Sequence, residues 1–437
     1  MDHKKERIIV IVLVLFCANT RVWASGYEFF GTGIRALSMG GAFMAKADDA
    51  TATYWNPAGL GQLKGKGIDI DLENDMVNYY DNNSMRNVSL AELSTIRNDV
   101  FIRHLPTEPG RFGEAKPNIF FAMADLAGYY HWKGYTLGGA FYVPNGQFID
   151  WKDTIVNSAG EIIRAKFFNR FLLSVTNLSI AREVFPGVLL GGGMNLIIGS
   201  FRLDVNKYLV GSKVQDYAFG VDSKGLGSGL EGVFGLLLKP TDWLSIGAVY
   251  RTGANINVNG HLHILQTPVP AIPAGFDAAS DYKQDFPLPP TWGIGIALKP
   301  IPKLTVTFDA QGTDWTVMKT EIDYHNQRVG FPLPNINQKL YWNISWRYRA
   351  GLEYRLNDRW AFMAGYMYDE NAIPDNASSL TTTSGLILNV ITLGARYGWG
   401  RWELSLHANT HRYYERVEHR SIGGTDYMFG LGIAYHF

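Results

Sequence analysis

The chain has 437 residues, of which 46% are hydrophobic and 14% aromatic, and its formal net charge at pH 7 is zero. This balance shows no basic excess and argues against a nucleic-acid partner. The only cysteine is Cys17, which excludes a disulfide scaffold and a cysteine-based metal site, and we expect neither metal nor cofactor.

Residues 1–24 are typical of a secretory signal peptide. Three basic residues precede an apolar run over 8–18, which is too short to span a bilayer comfortably. Val22 and Ala24 occupy positions −3 and −1 of a cleavage site, so we expect Ser25 to be the mature N-terminus. A lipoprotein signal and an uncleaved anchor are the alternatives.

The stretch from 25 to 65 follows neither the helical nor the strand period. Its centre, 40–60, is rich in glycine and alanine and contains Asp48, Asp49 and an Asn-Pro-Ala step at Asn56–Ala58. Either acid can cap a short helix that the proline then ends. Such irregular backbone cannot face lipid, where every polar backbone group needs an internal partner. The segment therefore hangs in the periplasm or, as its small residues favour, packs inside a larger structure.

From residue 66 to 437 much of the chain alternates with period two, so that one face of each predicted strand is apolar and the other is polar or very small. The alternation is clearest over residues 304–310, 346–354, 402–408 and 427–437. After residue 24 no apolar run reaches the ~18 residues of a transmembrane helix. A membrane location would therefore require strands.

Three features favour a transmembrane β-barrel over a soluble β-sandwich. Aromatic residues end the apolar faces, as expected for belts at the two membrane interfaces. Short turns alternate with longer polar or proline-rich segments. The predicted turns are 182–187, 239–243, 299–303, 356–360 and 398–402. The last strand ends in Phe437, which predicts recognition by the bacterial barrel-assembly machinery. We expect a signal peptide over 1–24, a separate N-terminal segment over 25–65 and an antiparallel barrel over 66–437.

The segment SMGGAFMAKADDATATYWNPAGL, residues 38–60, resembles the hatch of the FadL-type outer-membrane transporters, which include the TodX-type aromatic hydrocarbon channels. Weaker matches follow in order at 138–146, 225–252, 309–316 and 348–375. The resemblance implies an all-β, 14-stranded antiparallel transmembrane barrel in the bacterial outer membrane, with residues 25–65 as a hatch inside the lumen. The hatch motif falls on Asn56, Pro57 and Ala58.

The same resemblance implies passive uptake of long-chain fatty acids or related apolar molecules. The ligand is captured by outer loops, binds in the lumen beside the mature N-terminus and leaves sideways into the bilayer through a kink in the third strand. Monoaromatic hydrocarbons are an alternative cargo. A lipid-modifying enzyme and an open porin are the rival classes. No nucleophile–base signature supports the first, so we expect no enzyme, and the hatch-like segment weakens the second.

Candidate residues of the ligand pathway lie at the mature N-terminus and in the predicted third strand. They are Ser25, Tyr27, Phe29, Phe30, Gly138, Gly139 and Pro144. Glycines weaken a strand, and proline cannot donate a ladder hydrogen bond. We therefore place the lateral gap within 138–146, with Asn56 of the hatch as a possible source of replacement hydrogen bonds. Alternatively, Pro144 only begins an extracellular loop.

Inward-facing Arg347, Arg349 and Arg396 are candidates for holding either the hatch or a fatty-acid carboxylate. A neutral hydrocarbon would need no such partner. The other partners expected are outer-membrane lipid and lipopolysaccharide, and we expect the chain to act as a monomer.

Overall fold

The structure is a computed structural model that describes residues 28, 30–80, 119–156, 162–210, 218–266, 276–328, 333–374, 387–417 and 420–437. Within these residues eighteen strands form one sheet. They are β1 (Lys66–Tyr80), β2 (Ile119–Trp132), β3 (Tyr135–Val156), β4 (Ile162–Phe185), β5 (Val188–Val210), β6 (Ala218–Thr241), β7 (Leu244–Arg251), β8 (Ala254–Gln266), β9 (Phe276–Leu288), β10 (Thr291–Ile301), β11 (Leu304–Asp314), β12 (Lys319–Arg328), β13 (Ile336–Lys339), β14 (Ile344–Arg355), β15 (Trp360–Asp369), β16 (Ile387–Trp399), β17 (Trp402–Val417) and β18 (Arg420–His436). Strand β1 pairs antiparallel with both β2 and β18, so the sheet closes into a barrel.

Four barrel strands are each built from two consecutive pieces. Strands β7 and β8 together form one such barrel strand, because β6 pairs with β7 along its later half and with β8 along its earlier half. The pairs β9 with β10, β11 with β12 and β13 with β14 are related in the same way. Counting each such pair once gives fourteen barrel strands in the described chain, which confirms the expected fold.

The four interruptions lie side by side in the wall. Arg251 pairs with Thr291, Thr291 with Thr313, and Thr313 with Ser345. Two of the interruptions have an evident cause, since Pro289–Pro290 lacks ladder donors and Gly253 has a φ of +69°. All four barrel strands are therefore interrupted at one level.

The outward face is apolar below this level and polar above it. On β18 the side chains of Phe429, Leu431 and Ile433 point outward and are exposed. On β8, above the interruption, outward positions are polar instead: Asn255, Asn257, Asn259, His261 and His263. A polar outer face is unfavourable in hydrocarbon. The upper parts of these strands therefore extend out of the apolar zone.

Short turns connect the strands at the opposite end of the barrel. The five predicted turns are all present, between β4 and β5, β6 and β7, β10 and β11, β14 and β15, and β16 and β17. A sixth, at Lys133–Gly134, was not predicted. Both of its residues have positive φ, at 47° and 82°, which is the geometry of a tight hairpin turn. Exposed aromatics, among them Trp360, Trp399 and Trp402, encircle this end.

The N-terminal segment contains helices α1 (Ile34–Ser38) and α2 (Ala52–Trp55) and the 3₁₀ helix η1 (Pro57–Gln62). Helix α1 packs on β15–β18 and β1, whereas η1 packs on β3–β6. Because it contacts strands on opposite sides of the ring, the segment lies within the barrel. In the described part of the chain, no helix is long and apolar enough to cross a membrane.

Inward-facing glycines let the segment approach the wall closely. A Cβ at Gly191 would lie 2.3 Å from the carbonyl carbon of Pro57, and one at Gly365 would lie 2.1 Å from the backbone nitrogen of Gly40. The very small residues of the alternating pattern are therefore the inward positions where the segment meets the wall.

Candidate functional site: the lumen and the third strand

The Asn-Pro-Ala step fixes one end of η1 against the wall. The Asn56 amide donates to the carbonyls of Met44, at 2.8 Å, and of Leu236 on β6, at 3.1 Å. Its Oδ1 accepts the backbone N–H of Ala58 at 3.1 Å and so caps η1. Pro57 starts the helix, where the missing donor costs nothing. Both N–H groups and the oxygen of this buried amide therefore have hydrogen-bond partners.

A charged cluster joins the segment to β14. The Arg35 guanidinium lies 2.8 Å from Asp48 and 3.0 Å from Glu353. Lys46 contacts the same two carboxylates, at 3.0 and 3.3 Å. Burial raises the pKa of Asp48, but Arg35 and Lys46 outweigh that effect and hold this pKa well below its usual range. Asp48 therefore acts as an ion-pair partner. Asp49 accepts the Thr51 N–H at 3.0 Å, but helix α2 has no side-chain cap, so neither acid has the predicted capping role.

Two further wall residues hold the backbone of the segment. One carboxylate oxygen of Asp309 on β11 accepts the N–H groups of Phe43, at 2.7 Å, and Met44, at 2.9 Å. The Thr392 hydroxyl on β16 accepts from Gly40 at 3.1 Å and donates to the carbonyl of Ser38 at 3.0 Å. These hydrogen bonds attach the backbone of residues 38–44 to β11 and β16.

Arg347 and Arg349 both contact the N-terminal segment. Arg347 lies 3.4 Å from the Glu28 carboxylate and 2.7 Å from Asp369. Arg349 donates to the Gln311 side-chain oxygen at 3.0 Å and lies 5.3 Å from the centre of the Trp55 ring. The third predicted arginine, Arg396, pairs with Glu403 at 2.7 Å, and no contact between Arg396 and the described part of the N-terminal segment is recorded.

The ladder of β3 is interrupted near Pro144. Pairing with β2 ends at Leu126 and Phe141 in the described parts of both strands, and pairing with β4 changes register between Tyr142 and Asn145. The Asp125 carboxylate accepts the backbone N–H of Val143. A side chain thus replaces a ladder partner at the gap between β2 and β3.

Gly138 and Gly139 lie outside this interruption. Both are paired with β2 and with β4, and the space beside Gly138 is filled by Leu60 and Thr53. Glycine keeps its backbone N–H, so the ladder continues through it, whereas proline has none to give. Within the predicted range of 138–146, the break in pairing therefore lies around Pro144 and not at the two glycines.

The N-terminal segment supports the gap from inside, but not through Asn56. Glu28 forms an isolated β-bridge with Asn145, and the Gly33 N–H donates to the same Asp125 carboxylate that binds Val143. The Asn56 side chain instead donates to the carbonyl of Leu236 on β6. Glu28, Gln311 and Asp125 were not predicted from the sequence, although the polar face assigned to 304–310 continues onto Gln311.

A small cavity adjoins the gap. Its lining includes Glu28, Tyr142, Pro144, Glu231 and Arg251. Above it three phenylalanine rings cluster, with centroid distances of 5.3 to 5.9 Å; they are Phe171, Phe201 and Phe286. The cavity, which we call the chamber, therefore has acidic and basic groups in its lining, and the phenylalanine cluster lies outside that lining.

Of the predicted pathway residues at the mature N-terminus, Phe30 is half-buried and its ring lies 3.9 Å from that of His411. Ser25, Tyr27 and Phe29 lie outside the described residues. At the other end of the chain, the Phe437 N–H donates to Lys66 at 3.0 Å, which ties the terminus to β1.

The fold is similar to several solved outer-membrane channels. The chain matches the toluene transporter TodX of Pseudomonas putida with a TM-score of 0.69 and 14% identity, covering 96% of this chain and 100% of that one. It matches the monoaromatic hydrocarbon channel CymD (TM-score 0.66, 16% identity, 94% and 99% covered) and a FadL homologue of Pseudomonas aeruginosa (TM-score 0.67, 15% identity, 94% and 100% covered). A comparison with curated proteins gave no match.

The family model described as outer membrane protein transport protein (OMPP1/FadL/TodX) matches residues 15–406. This match covers most of the chain and includes both the N-terminal segment and the barrel up to β17. It agrees with the closed fourteen-stranded architecture. The chain belongs to the OMPP1/FadL/TodX family of transport proteins of the bacterial outer membrane.

Proposed function

We propose that this chain is a passive channel that takes hydrophobic compounds from outside the cell and releases them sideways into the outer membrane. The observation that carries the proposal is the chamber whose wall includes Pro144, at the point where β3 loses its pairing with β2. Long-chain fatty acids and related apolar molecules are the leading cargo, and monoaromatic hydrocarbons are the alternative.

The physical chemistry of an apolar ligand favours such a route. Moving apolar surface from water into hydrocarbon is favourable by about 25 cal/mol per Å², so no energy source is required. The obstacle is the polar outer layer of lipopolysaccharide, and a channel need only provide an apolar path past it. Lateral release avoids returning the ligand to water.

In this proposal residues 25–65 act as a hatch. The wall glycines that the segment contacts and the charged cluster around Arg35 support a plug that closes the lumen to ions and polar solutes. The gap remains beside it, bridged by Glu28 and Asp125. We also retain as proposals the signal peptide over 1–24, recognition of Phe437 by the assembly machinery, contact with lipopolysaccharide, and a monomeric state.

A strain lacking the protein tests this function. We expect it to lose uptake of oleate or of toluene at micromolar concentration, and expression of the wild-type chain should restore uptake. Purified protein in liposomes should release no fatty acid from a phospholipid substrate. Restored uptake would identify the cargo. Lipid hydrolysis, or equal uptake with and without the protein, would contradict the proposal in favour of an enzyme or another role.

A further inference from the structure

The Glu28 carboxylate lies in the lining of the chamber. It is bound by the donors that the carboxylate of an acidic ligand would need. The Glu28 side chain is 9% exposed and accepts from the Gln311 amide at 3.0 and 3.1 Å. Arg347 pairs with it at 3.4 Å and also donates to its backbone carbonyl at 3.2 Å. Arg349 holds Gln311 in position by donating to its oxygen at 3.0 Å. These are the charged and bidentate donors by which proteins bind carboxylates.

Glu28 is charged in this setting. Burial raises the pKa of its carboxyl, but Arg347 and Arg349, together with the hydrogen bond from Gln311, lower the pKa by more, so the net shift is downward. The group is therefore ionised at neutral pH, and it is paired with Arg347 and with the Gln311 amide.

The described residues that line the chamber include more acids than cations. Among the described residues that line the chamber, Arg251 is the one cation, and Glu28 and Glu231 accompany it. Arg251 donates to the backbone carbonyl of Tyr54, and its guanidinium lies 4.3 Å from the centre of the Tyr54 ring.

The other two arginines are enclosed rather than open to the chamber. Arg347 is 2% exposed and has Asp369 at 2.7 Å as its second partner. Arg349 is fully buried, lies against Trp55, and would be 3.1 Å from a Cβ placed on Gly41. An acidic ligand would therefore bring an unpaired charge into a desolvated site, which is strongly unfavourable.

We propose that Glu28 is a built-in counter-anion that makes the chamber select uncharged hydrophobic compounds and exclude carboxylates. This inference rests on the proposed function and decides between its two cargo classes against ionised fatty acids, the cargo named first there: hydrocarbons and neutral amphiphiles such as alcohols bind with Glu28 in place. A carboxylate binds only if it displaces Glu28 from Arg347 and Gln311.

Binding of a matched ligand pair tests the inference. Decan-1-ol and decanoate have the same chain length and differ in charge at pH 8. We expect purified wild-type protein to bind decan-1-ol at least tenfold more tightly by calorimetry, after correction for partition into detergent. Glu28→Gln, which keeps the shape and removes the charge, should raise the affinity for decanoate at least tenfold and change that for decan-1-ol less than twofold.

Glu403→Gln is the matched control, because it removes a charge from another acid–arginine pair of the barrel outside the chamber lining. It should change neither affinity. Glu28→Ala replaces Glu28→Gln should the latter fail to assemble. Wild-type protein that binds decanoate as tightly as decan-1-ol, or an unchanged affinity ratio in both Glu28 variants, would overturn the inference and leave the channel proposal standing. Failure of wild type and variants to bind either compound would overturn both.

Discussion

The N-terminal segment meets two unlike walls inside the barrel. Strands β11 and β14 hold it with ion pairs and hydrogen bonds to carboxylates, as between Arg35 and Glu353 and between Asp309 and Phe43. Strands β3–β6 meet it mainly through close apolar contact, with Leu60 and Ala58 against wall glycines. The interrupted strand β3 belongs to the second wall. The polar wall therefore anchors the segment, and the apolar wall is the side on which a ligand can pass without breaking ion pairs.

The largest expected effect comes from breaking the anchor. Glu353→Ala removes a 2% exposed carboxylate shared by Arg35 and Lys46 and leaves both cations with fewer partners. Removing one member of a buried ion pair costs about 3–5 kcal/mol. We expect the segment to detach from β14 and the single-channel conductance for small ions to rise clearly in planar bilayers.

Glu403→Ala is the control for this experiment, because the Arg396–Glu403 pair is partly exposed and is not recorded in contact with the segment. It should leave the conductance at the wild-type level. Equal conductance of Glu353→Ala and wild type in a heat-modifiable barrel would show that the charged cluster is not the anchor.

A smaller effect is expected from crowding the apolar wall. In Gly191→Val the new Cβ would lie 2.3 Å from Pro57, so η1 must move. Overpacking of this kind costs about 1–3 kcal/mol. The neighbouring Gly192 has its nearest atoms at 3.7 Å, so Gly192→Val is a matched control.

We expect Gly191→Val to speed proteolysis within residues 56–63 by severalfold while the conductance rises less than in Glu353→Ala. Gly192→Val should behave as wild type. A Gly191→Val protein that is as resistant as the control would mean that the glycines of this wall are not required for close packing.

The smallest expected effect is a pH dependence of the stability that the charged cluster around Arg35 contributes. Burial raises the pKa of Asp49; Arg35 offsets part of this, and the charge of Asp48 adds to it. A carboxyl whose pKa is raised on folding stabilises the folded state at low pH, and this contribution is lost as the pH rises from the unfolded value of about 3.9 through the folded value.

Asp49→Asn cannot ionise and keeps an oxygen for the Thr51 N–H. We therefore expect it to be more stable than wild type above the folded pKa of Asp49, with convergence at lower pH. Asp48→Asn should have the opposite sign, because the pKa of Asp48 is depressed and its stabilisation is present above pH ~4. Thermal unfolding at several pH values measures both, and equal signs for the two variants would contradict the assignment.

The outlines of the barrel follow from the sequence because strand alternation is local. Neighbouring residues point to opposite faces, so the inward placement of Arg347 and Arg349 could be predicted without knowing the partner strands. Their partners could not: Glu28 and Gln311 are separated by 283 positions and meet only once the barrel closes. The gap was predicted within 138–146, and the break in pairing lies in the later part of that range, around Pro144. Glycine weakens a strand through entropy and packing, but only proline removes a ladder donor.

The interruptions of the barrel strands above Arg251 and Thr313 could also be predicted only in part from the sequence. Pro289–Pro290 is a visible signal, but the alignment of four breaks at one level depends on register between strands. A one-residue slip would send every side chain to the other face, and the sequence of one strand does not define its register with the next.

Joining β2 to β3 above the last paired residues tests the central claim most directly. Cysteines at Ala124 and Val143 would lie on either side of the gap, beyond the Leu126–Phe141 pair. The natural chain has only Cys17, within the predicted signal peptide. A short bis-maleimide would link the new pair, and Gly128→Cys with Gly139→Cys, which are direct partners, provides a linked control in the intact ladder. We predict that the link across the gap lowers uptake of the identified cargo at least tenfold and that the control link leaves uptake unchanged; wild-type uptake with the gap linked would contradict lateral release at this site.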